Sequence, residues 1–169
     1  MIETERLNIR YLQEEDLERM LEYRNKKEVA KYQSWNHYSE REARSRIRYV
    51  QKHPFSGGAK DNTQFAIVLK DGTLIGDLHL EALSSSCITI GYTIDSDYWK
   101  QGYGRESVRA LLDYIYTHYE YTKCIAYIYK ANEASRRLLL DLGFKKFDES
   151  YLYRDEGYVV RLDEVIMER

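Results

Sequence analysis

The spacing of hydrophobic residues changes along the chain, and each change predicts a different element. "LNIRY" (Leu7 to Tyr11) alternates and predicts a first strand. "EEDLERMLEYR" instead carries Leu17, Met20 and Leu21 at i, i+3 and i+4, the spacing of one helical face. A second helix opens at Ser39, where Glu42 three residues on completes a capping box and Ala43, Ile47 and Val50 share a face. Between these helices "KYQSWNHY" is aromatic and irregular, and "PFSGGAKDN" (Pro54 to Asn62) reads as loop. From Gln64 the period is two: "QFAIVL", a turn at Asp71-Gly72, "LIGDLHLEAL" and "CITIGYTID" predict three antiparallel strands. Val108, Leu111, Leu112, Ile115 and Tyr116 then mark an amphipathic helix. "KCIAYIY" predicts a buried strand, and "NEASRRLLLDLGF" a short helix opened by Asn132 and closed by Gly143. The tail "KKFDESYLYRDEGYVVRLDEVIMER" predicts two strands around a turn near Glu156-Gly157. The order β α α β β β α β α β β predicts a single α+β domain over residues 1–169. Its sheet is mixed and mostly antiparallel, because strand, helix, strand in the middle requires one parallel pair.

Composition narrows the class. A chain of 169 residues, 43% hydrophobic and 32% charged, buries a core without metal or disulfide help. No apolar run approaches the roughly 18 residues of a membrane span, and "MIETERLNIR" lacks a signal-peptide core, so a cytoplasmic protein with no membrane partner is expected. The net charge of −2 supplies no basic field for a nucleic-acid partner. Cys87 and Cys124 sit inside strand-like runs and read as small core residues. The histidines have no zinc-ligand spacing with them, so no metal is expected. Seventeen tyrosines against one proline supply flat apolar area with a polar tip, suited to strands and to a half-wet cleft.

The candidate chemistry gathers at "YWKQGYGR" (Tyr98 to Arg105), where a strand hands over to a helix. Position 107 is Ser, so the dinucleotide pattern GxGxxG is incomplete, and no Gly-Lys-Ser/Thr follows to make a Walker A loop. A Gly-x-Gly turn opening a helix still offers unpartnered N–H groups and the positive end of the helix dipole, flanked here by Lys100 and Arg105. Read from these residues alone, the segment is either a nest for an anion or a plain turn. The preceding strand carries Ile88, Ile90, Tyr92 and Ile94 on one face and the small residues Cys87, Thr89, Gly91 and Thr93 on the other, leaving room for an extended ligand.

"IGYTIDSDYWKQGYGRESVRALL" followed by "NEASRRLLLDLGF" resembles the acetyl-coenzyme A site of the GNAT acetyltransferase superfamily. "ETERLNIRYLQEEDLERMLEYRNKKEVAKY" resembles the start of its branch related to ribosomal-protein N-terminal acetyltransferases. The resemblance implies that Tyr92, Thr93 and Ile94 meet the pantetheine arm through their backbone, and that Gln101, Gly102, Tyr103, Gly104 and Arg105 wrap the pyrophosphate. It further implies that Asn132 and Ser135 contact the distal arm and that Arg137 meets the adenosine phosphate. Acetyl-CoA would be the co-substrate, and a monomer or homodimer is expected. Three positions depart from the family pattern: Trp99 stands where Gln or Arg opens the motif, Asp141 where some relatives have lysine, and Leu139 where many carry a tyrosine general acid.

Acetyl transfer to an amine needs a neutral amine and a stabilised oxyanion, and a thiol of pKa about 8.5 leaves tolerably without a dedicated acid. For a base, "DLHLE" places Asp77, His79 and Glu81 on one strand face, which is otherwise the solvated side of a meander. Trp35, His37 and Tyr38 resemble an acceptor-side wall, and an amine on a small molecule or a protein N-terminus is the expected acceptor. The loops that would choose it are Lys31 to Tyr38, Ser56 to Asn62 and Tyr151 to Tyr158. A coenzyme A-binding module without turnover is the alternative reading.

Overall fold

The computed structural model describes residues 1–150 and 155–167. Its period-two segments form β3 (Asn62–Leu69), β4 (Leu74–Ala82) and β5 (Cys87–Ile94), an antiparallel meander preceded by β1 (Ile2–Glu3) and β2 (Leu7–Tyr11). After the Gly-x-Gly turn come helix α4 (Tyr103–His118), β6 (Lys123–Tyr129), α5 (Glu133–Asp141), β7 (Lys145–Ser150), β8 (Asp155–Arg161) and α6 (Leu162–Met167). One sheet results, in the order β1-β2-β3-β4-β5-β6-β8-β7, and β5 with β6 is its parallel pair, as the strand, helix, strand order requires. Among the described residues the mixed α+β layout expected from the sequence is present.

Each sheet face packs against its own helices. Ile67, Leu78, Leu80, Ile88 and Ile90 meet Val108, Leu111 and Ile115 of α4 and Leu139 of α5, all nearly or fully excluded from water. On the other face Ala66, Val68 and Leu74 meet Leu17 and Met20 of α1 (Leu17–Arg24) and Ala43, Ile47 and Val50 of α3 (Glu40–Lys52). The stripe that predicts α3 is therefore the stripe that packs, and its start is fixed by the Ser39–Glu42 capping box in both directions.

The sequence-based outline needs four corrections. Ile2–Glu3 forms a two-residue strand against Ile9 and Asn8, too short to alternate visibly. Lys27–Ala30 adds a single turn, α2. Glu156 and Gly157 lie inside β8 rather than at a turn: a β-carbon at 157 would stand 2.9 Å from the Phe147 ring and 3.1 Å from that of Tyr127, so this glycine admits two aromatic rings. Residues 162–167 are helical because Leu162 and Val165, three apart, both bury beneath α4. Of the expected acceptor loops, residues 151–154 lie outside the described residues.

The largest departure concerns Asp77, expected on a solvated strand face. It is 1% exposed. Arg24 donates to both its oxygens, at 2.8 Å and 3.1 Å, Gln64 donates at 2.8 Å, and the Tyr23 hydroxyl donates as well. A carboxylate so engaged is a clamp between α1 and β4 and is withdrawn as a base. Cutting one partner of a buried ion pair strands the other charge, at a cost of about 3 kcal/mol or more. Asp77→Asn should therefore lower the urea unfolding free energy by about 3 kcal/mol.

Candidate functional site

The site begins where β5 and β6 part. They pair only from Cys87–Lys123 to Ile90–Ala126, after which β5 stays with β4 as far as Ile94 while β6 follows β8 to Tyr129. Strand groups alternate sides, and the N–H of Asp95 goes to Ile75 O on the β4 side at 2.8 Å. Tyr92 and Ile94 therefore present their N–H groups to the open edge. Thr93 turns toward β4, opposite Asp77, so the backbone contact expected of it falls to its two neighbours. A cavity of about 250 Å³ occupies the fork, lined among others by Gln33, Ile90, Tyr92, Tyr127, Asn132 and Ser135. The Gln33 amide reaches the carbonyl of Tyr92 at 3.5 Å.

Two helix starts converge on this fork. Gly102, with φ of 85°, turns the chain into α4, a conformation glycine adopts without steric cost; the N–H groups of the following first turn have no partner within the helix. Gly104 is needed for a different reason, since a β-carbon there would stand 3.0 Å from Leu138 of α5 and 3.8 Å from Ile94. Tyr103 is half-buried, while Gln101 and Arg105 are exposed at the rim. At the second start, Asn132 caps α5 by accepting from the Ser135 N–H at 3.1 Å.

The loop has a brace that the sequence pattern does not reveal. Arg6 donates to the Gln101 carbonyl at 2.9 Å and to Glu106 at 2.7 Å, and stacks 4.3 Å over the Tyr103 ring. Thr4 donates to the same Glu106 at 2.6 Å. Burial works against the charge on Glu106, but the hydrogen bonds from Thr4 and Arg6 outweigh it and hold its carboxyl below the ordinary value. Arg6 and Glu106 are a hundred positions apart, and no local period links them.

The remaining candidates divide. Arg137 is exposed, 3.7 Å from Glu133, whereas its neighbour Arg136 turns inward to Glu156 and Tyr158. Trp35 and Tyr38 lie 4.2 Å and 4.5 Å from the Arg24 guanidinium, so the Asp77 clamp also fixes this aromatic wall; His37 is exposed and outside that stack. His79 is half-buried opposite Gly91, and Glu81 is exposed opposite Thr89. Burial, with the charge of Arg46 adding to it and that of Asp77 opposing it, pulls the His79 pKa down to about 4, so its imidazole is neutral at ordinary pH. Leu139, at the position where many relatives carry a tyrosine acid, is fully buried in the core. The Tyr92 hydroxyl is buried beside Ser135 with no well-formed hydrogen bond; burial pushes its pKa up to about 12, and Ser135 opposes the rise. No group of three or more potential metal ligands occurs among the described residues.

A forked sheet whose open edge faces two helix starts offers free backbone donors and room for an extended ligand. The acetyltransferase (GNAT) domain model matches residues 6–145, so the chain belongs to the GNAT acetyltransferase family and is an acetyl-CoA-dependent N-acetyltransferase. The uncharacterized N-acetyltransferase p20 of Bacillus licheniformis is 28% identical over 147 residues, covering 85% of this chain and 81% of that protein. Two solved structures share the fold. The spermidine N-acetyltransferase of Vibrio cholerae, in complex with CoA and spermine, superposes with a TM-score of 0.81 at 18% identity, over 96% of this chain and 99% of the other. RimL, a ribosomal L7/L12 alpha-N-protein acetyltransferase in complex with coenzyme A, gives 0.82 at 17%, over 95% and 96%.

The packing at Gly104 sets an expectation. In Gly104→Val the side chain enters the gap between the first turn of α4, Leu138 and Ile94, where the resemblance to the family sets the expectation of a close phosphate approach. Acetyl-CoA affinity by calorimetry should fall about tenfold or more, with a melting temperature lower by a few degrees.

Proposed function

We propose that the chain transfers an acetyl group from acetyl-CoA to a primary amine, on a small molecule or a protein N-terminus, by direct attack within the β5–β6 fork. One observation carries the reading: the N–H groups of Tyr92 and Ile94 face an edge with no strand partner, between the Gly102–Arg105 turn and the capped start of α5. Such fixed donors suit a thioester carbonyl that becomes an oxyanion. The pantetheine arm lies along Tyr92 and Ile94, the pyrophosphate meets the α4 start, and Ser135 borders the arm. The amine attacks from the face that carries His79 and Trp35. The spermidine and ribosomal-protein acetyltransferases that share the fold both act on amines, which supports an amine acceptor without choosing one.

Proton handling follows from the environments. The attacking amine becomes acidic once its bond to carbon forms, so a weak base suffices. His79, neutral and facing Gly91 beside Tyr92, takes that proton directly or through water; Glu81, two positions farther from the fork, is the reserve candidate. The electron pair of the breaking C–S bond stays on sulfur. A thiol of pKa about 8.5 is a stronger acid than Tyr92, so the Tyr92 hydroxyl, near Ser135, steadies the departing thiolate as a hydrogen-bond donor and keeps its own proton. Thiol release with an acceptor panel tests the transfer and finds which amines are taken.

His79→Gln tests the assignment twice. With some active acceptor, kcat/KM at neutral pH should fall about 10²-fold, and by less at high pH, where hydroxide takes the proton of the attacked amine in place of the imidazole. The folded imidazole resists protonation down to about pH 4, whereas an unfolded histidine takes a proton near its ordinary 6.5. Its contribution to stability is thus complete above pH 6.5 and declines as the pH falls from there to about 4. The variant should flatten that decline in urea titrations; an unaltered pH–rate profile places the base elsewhere.

A further inference from the structure

Beside the fork lies a wider cleft of about 850 Å³, lined on one side by Lys27, Ala30 and Lys31 and on the other by Tyr129 and Lys130. Tyr32, Gln33 and Tyr129 line both spaces, so the cleft opens directly onto the fork. Its charge is one-sided. Three lysines and no Asp or Glu line it among the described residues. Lys130 is paired with Glu149, but Lys27 and Lys31 form no ion pair among the described residues; Lys31 lies 5.2 Å from the Tyr32 ring. Of the acids around it, Asp95 is held by Arg19 and Lys26, Asp77 by Arg24 and Glu149 by Lys130, Glu28 accepts from the Ser96 hydroxyl, and Asp155 lies deeper, in the lining of the fork, where an amine and not an anion would meet it.

On the reading that acceptors enter the fork from this side, we infer that the acceptor carries an anionic group, a carboxylate or a phosphate, a short distance from its amine, and that Lys27 and Lys31 hold that group at the mouth of the cleft. Lysine ammonium groups serve as point charges for either anion, and Asn36 and Gln33 add neutral donors on the same wall. A polyamine brings only positive charge to this wall and meets repulsion. This chain therefore selects differently from the spermidine acetyltransferase whose fold it shares.

The test is steady-state kinetics by thiol release, with acetyl-CoA binding measured separately by calorimetry. The acceptors are an acidic amino acid, a peptide with a free amino terminus followed by aspartates, a phosphorylated primary amine, spermidine and a lysine-rich peptide. The native chain should favour at least one anionic acceptor over spermidine by about tenfold or more in kcat/KM, an advantage that shrinks as salt is raised. The three anionic acceptors distinguish a small carboxylate, a peptide end and a phosphate as its source. In the doubly substituted Lys27→Glu, Lys31→Glu variant the KM for the anionic acceptor should rise about tenfold while the KM for acetyl-CoA stays within about twofold. A preference for spermidine, or an acceptor KM unmoved by the charge reversal, overturns the inference and leaves the transferase reading standing. A rise in the acetyl-CoA KM instead assigns the lysines to the cofactor and overturns it too. Tight acetyl-CoA binding with thiol release from no acceptor overturns the transferase reading, and this inference with it.

Discussion

Strands β5 and β6 share four register pairs and then have different partners to satisfy. Beyond Ile90, β5 continues along β4 to Ile94, and beyond Ala126, β6 continues along β8 to Tyr129. Backbone groups left unpaired inside a protein cost about as much as a lost hydrogen bond, so the sheet opens only where something else satisfies the exposed edge. In the described structure Gln33 reaches the Tyr92 carbonyl and the Trp99 indole donates to that of Ile94 at 2.8 Å, which leaves the two N–H groups as the unspent donors. The place proposed for the cofactor is thus a consequence of strand pairing more than of any single side chain.

Keeping the fork open falls to charged residues outside it. Asp95, at the end of β5, is fully buried between Arg19 of α1 and Lys26, whose Nζ stands 2.7 Å away; burial opposes its charge, and these partners still hold its pKa below the ordinary value. The end of β5 is thereby tied to α1 and α2. Asp77 ties β4 to α1 through Arg24, and Arg24 in turn carries Trp35 and Tyr38. Buried ion pairs add little net stability compared with well-packed apolar groups, but they fail badly when one partner is lost, so they suit positions where geometry must be kept. Arg6 with Glu106 does the same for the turn that opens α4.

Much of this was legible from the residues because it is local. The alternation of β3 to β5, the stripe of α4 and the caps at Ser39 and Asn132 act over a few positions, and the structure has each of them, except that Tyr116, read as part of the stripe, is 42% exposed. The parallel pair followed from element order alone. Illegible parts depend on long-range partners. Strand alternation correctly put Asp77, His79 and Glu81 on one face, but only packing decides that α1 covers Asp77 while His79 is half-buried and Glu81 is left in water. Likewise Glu156-Gly157 looks like a turn by composition, and becomes strand because Arg136 pairs with the glutamate while two rings need the glycine's empty side.

The same distinction explains how the site can dispense with a tyrosine on α5. Leu139 is fully excluded from water among the core residues that α5 presents to the sheet, so the helix spends that position on packing. A hydroxyl reaches the neighbourhood of Ser135 from the opposite wall of the fork instead, on Tyr92 of β5, where burial pushes its pKa up to about 12. In the proposed mechanism a hydroxyl that holds its proton at neutral pH stabilises the departing thiolate as a donor but cannot deliver a proton to it downhill. On the proposed mechanism the pH sensitivity of the reaction is left to the acceptor amine and to the group that receives its proton, for which His79, on the other face of the sheet, is the candidate.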